Sequence, residues 1–227
     1  DDVIGTIVHK LKRNDDVEII IASGDMDTLQ LVEGERVQVY TLKKGLSDTI
    51  LYDESAVEKR FGFGPKFLPD YKGLRGDPSD NISGIKGIGE KTAGTLISKF
   101  GGLSEIFHTL KKHPDWVEKA GIKGATLEKL KGGEEAALFS KALAEISLNA
   151  PVDFSLPTRS WREGVDTNKT LEMLSDFEFR SLIPRVKQLL SGGVLSAESY
   201  KEGPATVTGQ PEDIPAEDFQ KIALAVW

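Results

Sequence analysis

Residues 73–92 read GLRGDPSDNISGIKGIGEKT and constrain the fold more than the rest of the chain together. Asp77 and Asp80 stand just before a glycine-rich turn, Gly84-Ile85-Lys86-Gly87-Ile88-Gly89, and a helix carrying Lys91 starts directly behind it. Within the turn, apolar residues alternate with glycines. The apolar residues anchor it between two helices, and the glycines let the backbone approach a phosphate with no Cβ in the way. Backbone N–H groups at such a turn and at a helix N-terminus hold phosphate. Carboxylates hold hard cations such as Mg²⁺. The combination points to a metal-dependent enzyme that grips a nucleic-acid backbone. The candidate contacts are Lys86, Gly87, Ile88, Gly89, Lys91 and Thr92. Contacts of this kind recognise structure rather than base sequence, and carbonyls in the turn can hold a monovalent cation against the phosphate.

Two further acidic pairs match this chemistry. Asp25 and Asp27 lie just past a β-branched run, Val17–Ala22, and sites in open α/β sheets form outside the C-terminal ends of strands. Asp1 and Asp2 open the first helix. Each pair alone has an ordinary explanation as a cap, an Asx turn or a solvated helix start. If the fold converges all three, six carboxylates surround one pocket. That much negative charge requires cations. Two Mg²⁺ or Mn²⁺ ions about 4 Å apart would neutralise it, activate a water and stabilise the leaving oxygen of a phosphodiester.

Composition narrows the classes. The chain has no cysteine, which excludes disulfides and thiolate metal sites, and its three histidines are scattered. No apolar run reaches the length of a membrane span and no signal peptide is visible, so a reducing, cytoplasmic setting fits. The net charge of −7 argues against a generic DNA-coating protein. Residues 82–131 nevertheless hold nine lysines against five acidic residues, a basic lobe beside an acidic one. Both ends cut into structured patterns, so the chain reads as an excerpt of a longer protein.

Periodicity predicts an amphipathic helix over 1–13, a buried parallel strand over 17–22, and two strands around 37–40 and 49–52 joined by a turn at Lys43–Asp48. Asp53 or Ser55 caps a helix that stops at Gly62. Further helices cover 66–75 and Lys91–Phe100. Leu103 and Ser104 read as staple and cap of the next helix. Residues 116–148 are helical with glycine breaks, and Pro151–Asp166 is a loop or extended. Thr170–Leu190 is one helix, with Leu171, Leu174, Phe177 and Leu182 as core candidates. Residues 191–216 have linker composition.

The motifs Asp1-Asp2-Val3-Ile4-Gly5, Ser23-Gly24-Asp25-Met26-Asp27, Gly76-Asp77-Pro78-Ser79-Asp80-Asn81-Ile82 and Gly87-Ile88-Gly89-Glu90-Lys91-Thr92-Ala93 resemble the 5′-nuclease domain of bacterial family A DNA polymerases of the polymerase I type, relatives of the flap endonucleases. Phe177-Glu178-Phe179-Arg180-Ser181-Leu182 is similar to the junction that precedes the family's next domain. The similarity covers about residues 1–190.

The resemblance implies an α/β fold: part of a PIN-like (Rossmann-like) parallel sheet over 1–68, then a helix–three-turn–helix (helix-hairpin-helix) element and a mostly helical C-terminal part over 69–190. The linker 191–216 and the start of a 3′–5′ exonuclease-like domain at 217–227 follow. It implies metal ligation by Asp1, Asp2, Asp25, Asp27, Asp77 and Asp80, with Asp25, Asp27, Asp77 and Asp80 catalytic, and K⁺ at the glycine turn. The family's first strand with its own metal Asp, its helical arch and the polymerase domains are not in this sequence. The implied activity is that of a 5′→3′ exonuclease and flap endonuclease, acting on branched, nicked or 5′-flap DNA and on RNA primer–DNA duplexes in the bacterial nucleoid, with polymerase domains continuous in the full protein and no membrane partner. The alternative is a catalytically incomplete fragment that binds DNA structure.

Overall fold

A computed structural model describes residues 1–13, 17–44, 48–192 and 221–225. Helix α1 (Asp2–Leu11) turns Ile4, Ile7, Val8 and Leu11 inward at the spacing seen in the sequence. Strand β1 (Glu18–Ala22) follows, with Ile19 and Ile21 fully buried. A 3₁₀ turn over Met26–Leu31 leads into β2 (Val37–Lys44), and β3 (Asp48–Tyr52) returns antiparallel to it. The hairpin expected here forms; residues 45–47 of the expected turn Lys43–Asp48 lie outside the described ones, and Lys43, Lys44 and Asp48 belong to the strands. β1 and β2 run parallel, and β4 (Lys221–Ala225) lies parallel along the other edge of β1. The sheet order is therefore β3-β2-β1-β4, a mixed sheet whose one antiparallel pair is the hairpin. Residues 221–225, expected to open a further domain, run beside β1 in this structure.

Helix α2 (Glu54–Phe61) starts where Asp53 Oδ1 accepts the Ala56 N–H at 2.7 Å and stops at Gly62, left-handed with φ 82°. Helices α3 (Leu68–Arg75), α4 (Glu90–Phe100), α5 (Leu103–Lys112), α6 (Pro114–Lys119), α7 (Ala125–Lys131) and α8 (Glu134–Ala144) build the second part of the core. Leu74, Leu96, Ile97, Leu103, Ile106 and Leu130 are all but completely enclosed there. Each such side chain contributes about 1.5–3 kcal/mol over its exposed form. Helix α5 begins two residues earlier than a Ser104 cap implies, with Gly102 as its N-cap, so Ser104 lies inside it and is not its cap. The Leu103 N–H is taken instead by Asp70 Oδ1 of α3 at 2.9 Å.

The chain divides into two compact units, Asp1–Asp153 with Glu217–Trp227, and Phe154–Ala216. The boundary expected at 68/69 lies inside the first. In the second, α9 (Trp161–Gly164) is one turn capped by a Ser160/Glu163 capping box, inside the stretch read as a loop. The single helix expected over Thr170–Leu190 is two, α10 (Thr167–Asp176) and α11 (Leu182–Leu190), because Glu178 adopts φ 60° and breaks the ladder. Phe177, expected in the core, is 65% exposed. Most of the expected linker lies outside the described residues. No helix among the described residues is long and apolar enough to cross a membrane.

Candidate metal centre and glycine turn

The centre is built where β1 ends. Ser23 Oγ accepts the Asp25 N–H at 3.0 Å, and Asp25 Oδ1 accepts the Asp27 N–H at 2.9 Å, which starts the 3₁₀ turn. The buried Thr28 hydroxyl donates to the Asp25 carbonyl at 2.6 Å and locks that turn. One Asp25 oxygen is thus committed to its own backbone, while Asp27 is directed toward α3.

Helix α3 supplies the opposite side. It stops at Gly76, and Asp77 Oδ1 accepts both the Ser79 N–H (3.1 Å) and the Ser79 hydroxyl (2.5 Å), capping a turn over Pro78–Asp80. Asn81 is left-handed at φ 57°, and Asp77 and Ile82 exchange both backbone hydrogen bonds at 2.8 Å each. This closed loop presents Asp77 and Asp80 to the same side. Carboxylate oxygens of Asp27, Asp77 and Asp80 all lie within 4.8 Å of one another.

The Lys72 ammonium of α3 sits among them. It is bonded to Asp27 Oδ1 and lies 2.6 Å from Asp77 Oδ2 and 3.8 Å from Asp80 Oδ2. Burial pushes the Asp27 carboxyl up, and the Lys72 ammonium offsets this only in part. Burial acts the same way on Asp77, but Lys72 and Ser79 outweigh it and hold that carboxyl below its usual range. Burial would lower the Lys72 pKa, but its hydrogen bonds to Asp27 and Asp77 raise it instead, so the lysine stays charged. A donor set of three carboxylates, with no nitrogen or sulfur, fits a hard divalent ion of the Mg²⁺ or Mn²⁺ type.

Three of the six expected ligands therefore converge. Asp25 stands outside the trio, although its charge helps to raise Asp27. Asp2 Oδ1 accepts the Ser147 N–H at 2.9 Å, and Asp1 is the exposed N-cap residue of α1. Lys72 was not legible as a site residue, since nothing local distinguishes it from other helical lysines.

The glycine turn is pinned to the same helices. Ile85 N–H donates to the Leu74 carbonyl (2.9 Å), Gly84 N–H to Ser140 Oγ of α8 (3.0 Å), and Ile88 N–H to the Ile85 carbonyl (2.9 Å). Ile85 and Ile88 are buried, while Lys86, Gly87, Gly89 and Lys91 are exposed and Thr92 is half-buried. Gly87 has φ +91°, and Gly89 is the N-cap of α4, with no side chain capping the helix's first amides. Lys129 of α7 lies over the turn: a Cβ on Gly87 would sit 2.5 Å from its Nζ. Sequence reasoning missed this lysine, whose only signal was membership of the basic stretch.

The model of the 5′-3′ exonuclease N-terminal resolvase-like domain matches residues 1–62, and that of the 5′-3′ exonuclease C-terminal SAM fold matches residues 63–167. DNA polymerase I of Caldicellulosiruptor bescii is 38% identical over 82% of this chain and 21% of its own length. DNA polymerase I of Bacillus caldotenax is 36% identical over 82% of this chain and 20% of its own. The chain thus spans about a fifth of the relatives it matches. In fold it resembles T5 5′-exonuclease, a structure with divalent zinc ions bound, at TM-score 0.51 and 21% identity over 63% of this chain and 48% of that one. With both domain models met end to end over residues 1–167, the chain belongs to the 5′-3′ exonuclease family.

Proposed function

We propose that this chain carries the metal face and the duplex-gripping turn of a 5′→3′ exonuclease and structure-specific flap endonuclease, part of a DNA polymerase I. The observation that carries the reading is the convergence of Asp27, Asp77 and Asp80 on one cation-sized space. Mg²⁺ or Mn²⁺ bound there supplies Lewis-acid stabilisation of a phosphodiester and an activated water. Asp27, Asp77 and Asp80 hold the ion, and Asp25, Asp1 and Asp2 are the further carboxylates available to a second one. Lys86, Gly87, Ile88, Gly89, Lys91, Thr92 and Lys129 would receive the phosphates of a duplex, and K⁺ held at the turn would add positive charge against them. The substrates are branched, nicked or 5′-flap DNA and RNA primer–DNA duplexes, and the setting is cytoplasmic, at the nucleoid. In the longer protein, residues 217–227 lead into a 3′–5′ exonuclease-like domain and the polymerase domains.

The test is cleavage of an end-labelled 5′-flap DNA with Mg²⁺ and with EDTA, using the chain and its Asp77→Asn/Asp80→Asn variant. Metal-dependent cutting near the branch, lost in the double variant while DNA binding persists, is the expected outcome. Cutting by the double variant at the unmodified rate overturns the ligand assignment. Metal-independent binding without cutting replaces the enzyme with a DNA-structure-binding fragment.

A further inference from the structure

We propose that Lys72 is the resident counter-cation of the metal centre, holding the carboxylates together before the ion arrives and leaving when it enters. The inference rests on the metal-centre reading of Asp27, Asp77 and Asp80. Three carboxylates with oxygens within 4.8 Å of one another repel strongly unless positive charge stands between them. Lys72 provides it from a side chain only 13% exposed, contacting all three. This is not a rim ion pair of the kind that contributes almost nothing.

Ammonium and divalent ion cannot share the space. An ion of the Mg²⁺ type takes carboxylate oxygens at about 2.1 Å. Lys72 Nζ lies 2.6 Å from Asp77 Oδ2 and is bonded to Asp27 Oδ1. An ion on those two oxygens would fall almost on the nitrogen, and the two cations would repel. Lys72 can leave without any change in α3, because its head stands on a flexible four-carbon stem. Asp80 is 53% exposed and marks the open side of the centre, toward which the ammonium withdraws.

Two effects follow. Lys72 weakens divalent-ion binding, because the ion must displace it. It also stabilises the ion-free centre, because without it the three carboxylates would repel one another and splay. A purely structural lysine would do the second without the first.

The experiment is Mn²⁺ titration of the whole chain by calorimetry, without DNA, for the unmodified protein, Lys72→Met, Lys72→Gln and Asp77→Asn/Asp80→Asn. Mg²⁺ is then added to the ¹⁵N-lysine-labelled protein while the Lys72 Nζ resonance is followed. Lys72→Met and Lys72→Gln should bind Mn²⁺ about three- to tenfold more tightly, and Mn²⁺ should raise their melting temperatures more than that of the unmodified chain. Mg²⁺ should move the Lys72 Nζ signal toward that of a solvated lysine. Equal or weaker Mn²⁺ binding in a folded Lys72 variant overturns the proposal while leaving the metal centre intact. An Nζ signal unmoved at saturating Mg²⁺ does the same, and needs no variant to fold. Mn²⁺ binding that survives in Asp77→Asn/Asp80→Asn, or is absent from every protein, overturns the metal reading and this inference with it.

Discussion

Asp70 is 4% exposed, and its Oδ1 accepts both the Leu103 N–H at 2.9 Å and the Lys141 ammonium at 2.8 Å. One carboxylate on α3 thereby caps α5 and ties down α8. Removing it leaves a helix-start N–H without its acceptor and a half-buried ammonium without its partner. Asp70→Ala should lose about 2–4 kcal/mol in urea unfolding. Asp70→Asn, whose amide oxygen can still accept the Leu103 N–H, should lose less. An Ala variant within about 0.5 kcal/mol of the unmodified chain would show that the pair contributes nothing. The same contact shows why Ser104 misled the sequence reading. Ser104 has the right chemistry at a helix start, but the cap that forms comes from 33 residues upstream. Asp53, by contrast, bonds three residues ahead, within the range that local patterns report.

The segment joining α3 to α4 shows how two glycines of one turn differ. Gly84 has φ +59°, and a Cβ there would stand 2.1 Å from the Gly76 backbone nitrogen, where nothing can give way. Gly87 has φ +91°, and its Cβ would meet the far end of the Lys129 side chain, which can swing aside. Gly84→Ala should therefore cost more than about 3 kcal/mol and weaken Mn²⁺ binding, because it displaces the loop that carries Asp77 and Asp80. Gly87→Ala should cost only about 1 kcal/mol of backbone strain and leave Mn²⁺ affinity unchanged. Urea unfolding and calorimetry on both variants separate the outcomes; equal losses would refute the distinction. The alternation of isoleucine and glycine made this turn legible, since both buried isoleucines and the left-handed Gly87 follow from it. The break between α10 and α11 was not legible, because a left-handed Glu178 leaves no mark in composition.

Across the whole molecule, charge is divided. The net charge is −7, yet residues 82–131 carry four more lysines than acidic residues, nine against five. A nucleic-acid backbone held by that face is bound through counterion release, so affinity falls steeply with salt. Lys129→Ala should weaken duplex binding uniformly across sequences and reduce the slope of log K against log salt by about one, measured by fluorescence anisotropy. An unchanged slope would remove Lys129 from the phosphate face. At this scale the sequence showed the basic stretch and the pair Asp77 and Asp80, which are contiguous. It could not show that Asp27 meets Asp77, fifty positions later, because that depends on how α3 passes the end of β1. For the same reason Lys72 was invisible: its role is set by what crosses above it, not by its neighbours in the chain. The reciprocal bonds between Asp77 and Ile82 have a further consequence, in the time domain. Their amides are locked against each other, and the adjoining Gly84 and Ile85 amides are held by α8 and α3. The Asp77 and Ile82 hydrogens should therefore exchange only when that loop opens, and those of Gly84 and Ile85 only when the turn parts from α8 and α3. The carboxylates at the mouth of the site thus stand on a loop whose opening amide exchange would time, against the slower opening expected of the turn behind it.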